Sequence, residues 1–239
     1  MQVVGTTLEK WQRGGALCRG VPAVLAKWSL EGPRWWITCL GFMVVGSGLY
    51  GWTIGVWRGP QQGLYTAIKF PLLLVLISGG NALLNGLLAR GFGAALSFRQ
   101  TFSTMLMSFS ITSLILGSLS PVFFFLLLNL PAQGSAAGGE LTYLWLVLGH
   151  VFAIALAGIV ANLRLYDLLT YLMESRPLAR TVLISWLAGN LLLGAQLSWN
   201  LRPFFGSPDI AVEFFRADAF ERNFFEAVYA VCWSIWHGA

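Results

Sequence analysis

Of the chain's 239 residues, 56% are apolar and only 10% are charged, against about a quarter charged in an ordinary soluble domain. So few charges cannot clothe a surface in water, which excludes an ordinary soluble globular protein. Several apolar stretches are long enough to cross roughly 30 Å of hydrocarbon. The net charge of +5 belongs to the segments between them and calls for no nucleic-acid partner.

Residues 1–34 are polar and basic around a short apolar stretch, Val21–Trp28. They read as a cytoplasmic interfacial segment or as a short helix packed on the membrane bundle. No cleavable signal is expected, because Lys10, Arg13, Arg19 and Lys27 interrupt the chain before its first long apolar run. That run covers about Trp35–Trp57. Ser47, Gly51 and Gly55 recur within it every four residues, which predicts one helix face that a neighbouring backbone can approach closely.

A second span is predicted over about Ala67–Ala89. Lys69, near its start, is expected to snorkel to the interface. Ser78, Ala82 and Gly86 form another small-residue face. Asn81 and Asn85 lie one turn apart and point the same way. An amide in hydrocarbon is costly, so both should face protein or water.

Ser97 with Gln100 has the spacing of a capping box, which predicts a helix start there. The third span follows, to Leu128. Pro121 is expected to kink or break it, because proline removes one backbone donor and clashes with the preceding turn. A fourth span covers about Leu141–Leu163, with Gly149, Ala153, Ala157 and Ala161 as a small-residue stripe. His150 stands beside that stripe. Packing, a proton relay and ligation of a haem or pigment metal are its readings. Leu165, Leu168, Leu169 and Leu172 continue the helical pattern beyond the bilayer.

The fifth span, about Thr181–Trp199, carries Asn190, Gly194 and Ser198 on one face, with Gln196 beside them. It ends in Leu197-Ser-Trp-Asn-Leu-Arg-Pro-Phe-Phe-Gly-Ser-Pro208. Trp199 and Arg202 read there as interface anchors and Pro203 as the helix stop. Gly206-Ser-Pro208 reads as a turn that aims the tail, and Phe204 adds an apolar element for docking a partner. The tail places Phe224, Phe225, Val228, Cys232, Ile235 and Trp236 near helical spacing, which predicts an amphipathic helix.

The expected architecture is therefore an all-α polytopic membrane bundle of about five transmembrane helices with interfacial helices. A basic N-terminal segment (1–34) precedes the bundle (35–200), and an amphipathic tail (201–239) follows it. Splitting the third span at Pro121, or inserting the tail, would give six spans. With five spans and the N-terminus in the cytoplasm, ten of the fifteen lysines and arginines fall inside, as the positive-inside rule requires. The tail then lies outside the cell's inner (plasma) membrane.

Patterns that carry catalysis are missing: there is no HExxH, GxSxG or P-loop. Gly46-Ser47-Gly48 suggests an intramembrane serine protease only superficially, since Val45 stands where a glycine would be needed. Cys18, Cys39 and Cys232 are widely spaced and read as small apolar filler, so neither a disulfide scaffold nor a metal site is expected.

The turn Ala95–Phe102, with the hydroxyl-rich run after it and Pro121, is similar to the corresponding turn and span of the Yip-domain family. That resemblance implies a five-span, largely non-enzymatic protein tied to membrane organisation and trafficking. Gly80-Asn-Ala-Leu-Leu-Asn-Gly86 and Leu197–Pro208 resemble a group of uncharacterised bacterial multi-span proteins. This second resemblance covers most of residues 50–226 and brings no activity with it. Neither implies a functional residue.

The expected function is a non-enzymatic scaffold or accessory subunit, without a cofactor. Its partners would be membrane lipids and other membrane-protein subunits or further copies of itself. The alternative is a transporter or channel whose path is lined by Asn81, Asn85, His150, Asn190 and Gln196. A weaker alternative is pigment or haem binding through His150.

Overall fold

The computed structural model describes residues 12–131, 139–206, 211–221 and 223–237. A helical stretch over 12–19 leads into α1 (Pro22–Ser29), α2 (Pro33–Gly55), α3 (Pro60–Gly91), α4 (Phe98–Leu128), α5 (Glu140–Met173), α6 (Arg176–Leu201) and α7 (Phe224–His237). Among the described residues, five helices, α2 to α6, are long and apolar enough to cross a membrane. The chain is an all-α polytopic bundle, and α4 is one span, not two.

Several helices outrun their apolar windows. α5 has 34 residues, about 51 Å at 1.5 Å per residue, well beyond the hydrocarbon thickness. Its extra turns bury Leu165, Leu168 and Leu169 against the α4 and α6 starts. α3 starts at Pro60 because the polar residues Gln62 and Thr66 are buried there and have partners.

α4 begins at the capping box: Ser97 Oγ accepts from the Gln100 amide, and Gln100 Oε1 accepts from the Ser97 amide. The helix then runs unbroken through Pro121, so the expected break does not occur. Pro121 withholds an amide from the carbonyl of Gly117, four residues back. The Ser118 and Ser120 hydroxyls donate to the carbonyls of Ile115 and Leu116, just before it. The helix carries the proline at the loss of that one backbone bond.

α2 packs against both α3 and α4, and α6 closes the bundle between α3 and α5. Small residues set these distances. A Cβ on Gly51 would lie 2.6 Å from the Thr66 carbonyl oxygen, and one on Gly55 would lie 2.5 Å from that of Gln62. On the neighbouring face, a Cβ on Gly117 would lie 2.9 Å from Gly46 Cα. Ala153, Ala157 and Ala161 are buried in the α4–α5 seam, as their spacing predicts.

One end of the bundle, hereafter the α1 end, carries α1, the α3–α4 turn and the α5–α6 turn. α1 packs on α4 and α5, with Leu25 buried and Ser29 Oγ returning to the Ala26 carbonyl. Before it, Leu17 is fully buried, and Arg13 pairs with Glu31 at 2.9 Å. The N-terminal segment is thus part of the packed structure where it is described. The opposite end, hereafter the loop end, holds the α2–α3 turn and the chain leaving α6. The three cysteines are free.

Candidate functional site

The loop end is the most specifically built part of the molecule. α6 stops at Leu201, and the chain passes through a cis Arg202–Pro203 peptide back against α3. Beyond the helix end the carbonyls lose their helical donors, and in a membrane protein such backbone is tolerated only where protein or water satisfies it. The α3 face formed by Gln62, Thr66 and Lys69, spaced i, i+4 and i+7, supplies the donors. Gln62 Nε2 donates to the carbonyls of Pro203 (3.1 Å) and Phe204 (2.8 Å). The Thr66 hydroxyl lies 2.6 Å from the Phe204 carbonyl oxygen, and Lys69 Nζ 3.1 Å from that of Pro203. All three side chains are fully buried.

Lys69 therefore does not snorkel. The returning segment closes its route to the interface and gives the ammonium a carbonyl and an aromatic face, with Phe214 centred 5.0 Å away. Gly206 completes the plug at φ +72°, and a Cβ there would meet Arg58 Cγ at 3.0 Å and Gln62 at 3.2 Å. Trp199 and Arg202 pair with each other. The Arg202 guanidinium lies 3.7 Å from the Trp199 ring centroid and donates to the Trp199 carbonyl at 2.9 Å. It also meets Asp218 at 3.0 Å, and Asp218 in turn holds Arg216. Pro208 lies outside the described residues.

His150 sits beneath this plug. Its Nδ1 is 2.9 Å from the Tyr50 hydroxyl. Phe123 stacks on its face at 4.2 Å, and Phe205 from the returning chain meets it edge-on at 5.6 Å. The ring joins α2, α4, α5 and the plug in one buried cluster. Among the described residues, no three His, Cys, Asp or Glu side chains are grouped to hold a metal ion.

The asparagines form a separate seam. Asn81 Nδ2 donates to Asn190 Oδ1 at 2.8 Å, tying α3 to α6. One turn on, Trp186 Nε1 donates to the Asn85 carbonyl at 2.9 Å, and Asn85 Nδ2 lies 3.2 Å from Met105 Sδ on α4. Gly189 allows the approach, since a Cβ there would sit 3.6 Å from the side-chain oxygens of both Asn81 and Asn85. Gln196 belongs elsewhere again. Its Nε2 donates to Asn200 Oδ1 at 2.9 Å, and its Oε1 accepts the Phe224 amide at 3.0 Å, anchoring the start of α7.

Of the five polar residues singled out from the sequence, the structure thus brings together Asn81, Asn85 and Asn190. His150 and Gln196 each have their own partners. Sequence reasoning missed Tyr50, Trp186 and the Gln62–Thr66–Lys69 stripe. The i, i+4, i+7 spacing of that stripe at the edge of an apolar span was the available signal. No family model, curated protein or solved structure matches the chain.

Proposed function

We propose that this multi-pass membrane protein is a non-enzymatic scaffold or accessory subunit of the inner (plasma) membrane, with its N-terminus in the cytoplasm. The observation that carries the reading is how the intramembrane polar side chains are used. Asn81 binds Asn190, His150 binds Tyr50, and Gln196 binds Asn200 and the α7 backbone. A solute path needs donors and acceptors turned toward a common space. Here Asn81 and Asn190 are turned toward each other between α3 and α6, and His150 and Gln196 are satisfied elsewhere.

The outer surface supports a partner. α6 buries only 17% of its most apolar stretch, the least of the five spans. α7 leaves Phe225, Tyr229, Trp233 and Trp236 exposed. Lipid, another membrane subunit or a further copy of the chain would cover these faces.

One feature favours the alternative, a passive pathway: Asn85 Oδ1 is buried without a hydrogen-bond partner among the described residues. Two measurements on protein from native membranes separate the readings. A scaffold co-purifies with a stoichiometric partner or as a homo-oligomer, and it passes no ion or small solute in liposomes. A partner-free monomer that conducts a solute overturns the proposal.

A further inference from the structure

α2 and α4 run in the same direction, and their backbones meet at Gly46 and Gly117. Outward from that contact they diverge and leave a cavity of about 670 Å³, open on the membrane-facing side. Ile37, Gly41, Val45 and Leu49 form one wall, and Leu114 and Ser118 form the other. Ile37, Val45 and Leu49 are more than half exposed, so no described residue fills the slot.

The polar atoms of the slot are already used. Thr38 Oγ1 donates to the Arg34 carbonyl, and Ser118 Oγ donates to that of Ile115. The hydroxyl protons are committed and the rest of the lining is apolar, so what fits the cavity is hydrocarbon. The α2 lining from Ile37 to Leu49 spans twelve residues of rise, about 18 Å and a little over half the hydrocarbon core, while Leu114–Ser118 of α4 closes the stretch near Gly46. That length is the reach of one leaflet. Gly41 opens the slot, because a Cβ there would meet nothing within 4 Å. No packing among the described residues requires that glycine.

The mouth at the α1 end is cationic. Arg34, Thr38, Gly41 and Val45 follow i, i+4, i+7 and i+11, so Arg34 stands on the same stripe at the membrane edge. Its side chain is exposed, and among the described residues no hydrogen bond or ion pair engages its guanidinium. An apolar slot one leaflet deep with an unengaged cation at its mouth is complementary to a lipid with a negative headgroup.

We propose that the α2–α4 slot holds an acyl chain of an anionic phospholipid from the leaflet at the α1 end, with Arg34 on the headgroup phosphate. A generic annular lipid slides over ridges of side chains. This one is held between two helices and by one charge.

Native mass spectrometry of the full chain in mild detergent, mixed with phosphatidylglycerol or phosphatidylcholine, tests the assignment. The wild type retains one phosphatidylglycerol in preference to phosphatidylcholine. Gly41→Leu fills the slot and lowers the bound fraction about tenfold, the factor for roughly 1.4 kcal/mol of lost contact. Because the new side chain enters open space, its thermal melting stays that of the wild type. Arg34→Gln lowers phosphatidylglycerol retention about fivefold, the effect of one basic side chain at an anionic surface, and leaves phosphatidylcholine unchanged. Retention of lipid by Gly41→Leu at the wild-type level overturns the proposal, and so does equal retention of the two lipids by the wild type. A change in oligomeric mass with unaltered lipid binding also overturns it, assigning the slot to a second copy of the chain.

Discussion

The loop-end plug and the α3–α6 seam both bury polar groups between helices, yet they are built from different parts. In the plug, the acceptors are backbone carbonyls of Pro203 and Phe204, and α3 side chains are the donors. In the seam, Asn81 and Asn190 are side chains on both sides of the bond. A side-chain pair can be removed whole. A carbonyl cannot, so deleting its donors leaves an unsatisfied acceptor in a medium without water. The plug's carbonyls must therefore keep their donors, whereas the Asn81–Asn190 pair of the seam is exchangeable.

The largest effect is expected from Gln62→Leu combined with Thr66→Val. This pair strips both donors from the Phe204 carbonyl and leaves Pro203 only Lys69, and should cost about 2–3 kcal/mol, the upper part of the roughly 1–3 kcal/mol for an unsatisfied buried group. Unfolding in mixed micelles by SDS titration reads it, and limited proteolysis should cut after α6 at a protease dose the wild type survives. Gly206→Val comes next. The left-handed backbone and the short approach to Arg58 and Gln62 make a branched side chain there cost about 2 kcal/mol.

In the seam, Asn81→Leu alone strands Asn190 and should cost about 1 kcal/mol. The double variant Asn81→Leu with Asn190→Leu should return to within about 0.5 kcal/mol of the wild type, since both polar partners are then gone. If the double variant is no better than the single one, the contrast between the two regions fails.

Arg202→Ala should cost under about 1 kcal/mol. It removes the stacking on Trp199 and an ion pair whose Asp218 is 44% exposed and therefore screened. The smallest effect concerns Cys18, at the α1 end. Burial pushes its thiol above the usual range, with Arg164 acting weakly the other way. A raised pKa leaves less thiolate at a given pH, so maleimide at pH 8 should modify exposed Cys232 before Cys18.

Spans, caps and small-residue faces were legible in the sequence because each is local. A 3.6-residue period, a Ser97–Gln100 spacing or a Gly-to-Ala stripe needs no knowledge of its partner. Lys69 was misread for the opposite reason. Position near a span end predicts snorkelling only if the route to water is open, and the segment that closes it lies more than 130 residues later in the chain. Pro121 was expected to kink or break α4, and no break occurs: one missing amide does not end a helix of 31 residues. Within the polar set, Asn81 and Asn85 share a face by spacing. That Asn190 meets them, and that His150 meets Tyr50, depends on tertiary pairing of helices that carry no register signal.

The claim that the interior polar groups serve packing rather than passage is tested most directly by substituted-cysteine accessibility. In a background with Cys18, Cys39 and Cys232 replaced by alanine, Asn190→Cys and Gly189→Cys are placed in the seam and the protein is reconstituted in liposomes. A membrane-impermeant methanethiosulfonate applied from either side should leave both unlabelled, while a cysteine at exposed Phe220 is labelled from one side. Labelling of the seam cysteines from either side would contradict that claim, because water would then reach polar groups that pair between α3 and α6.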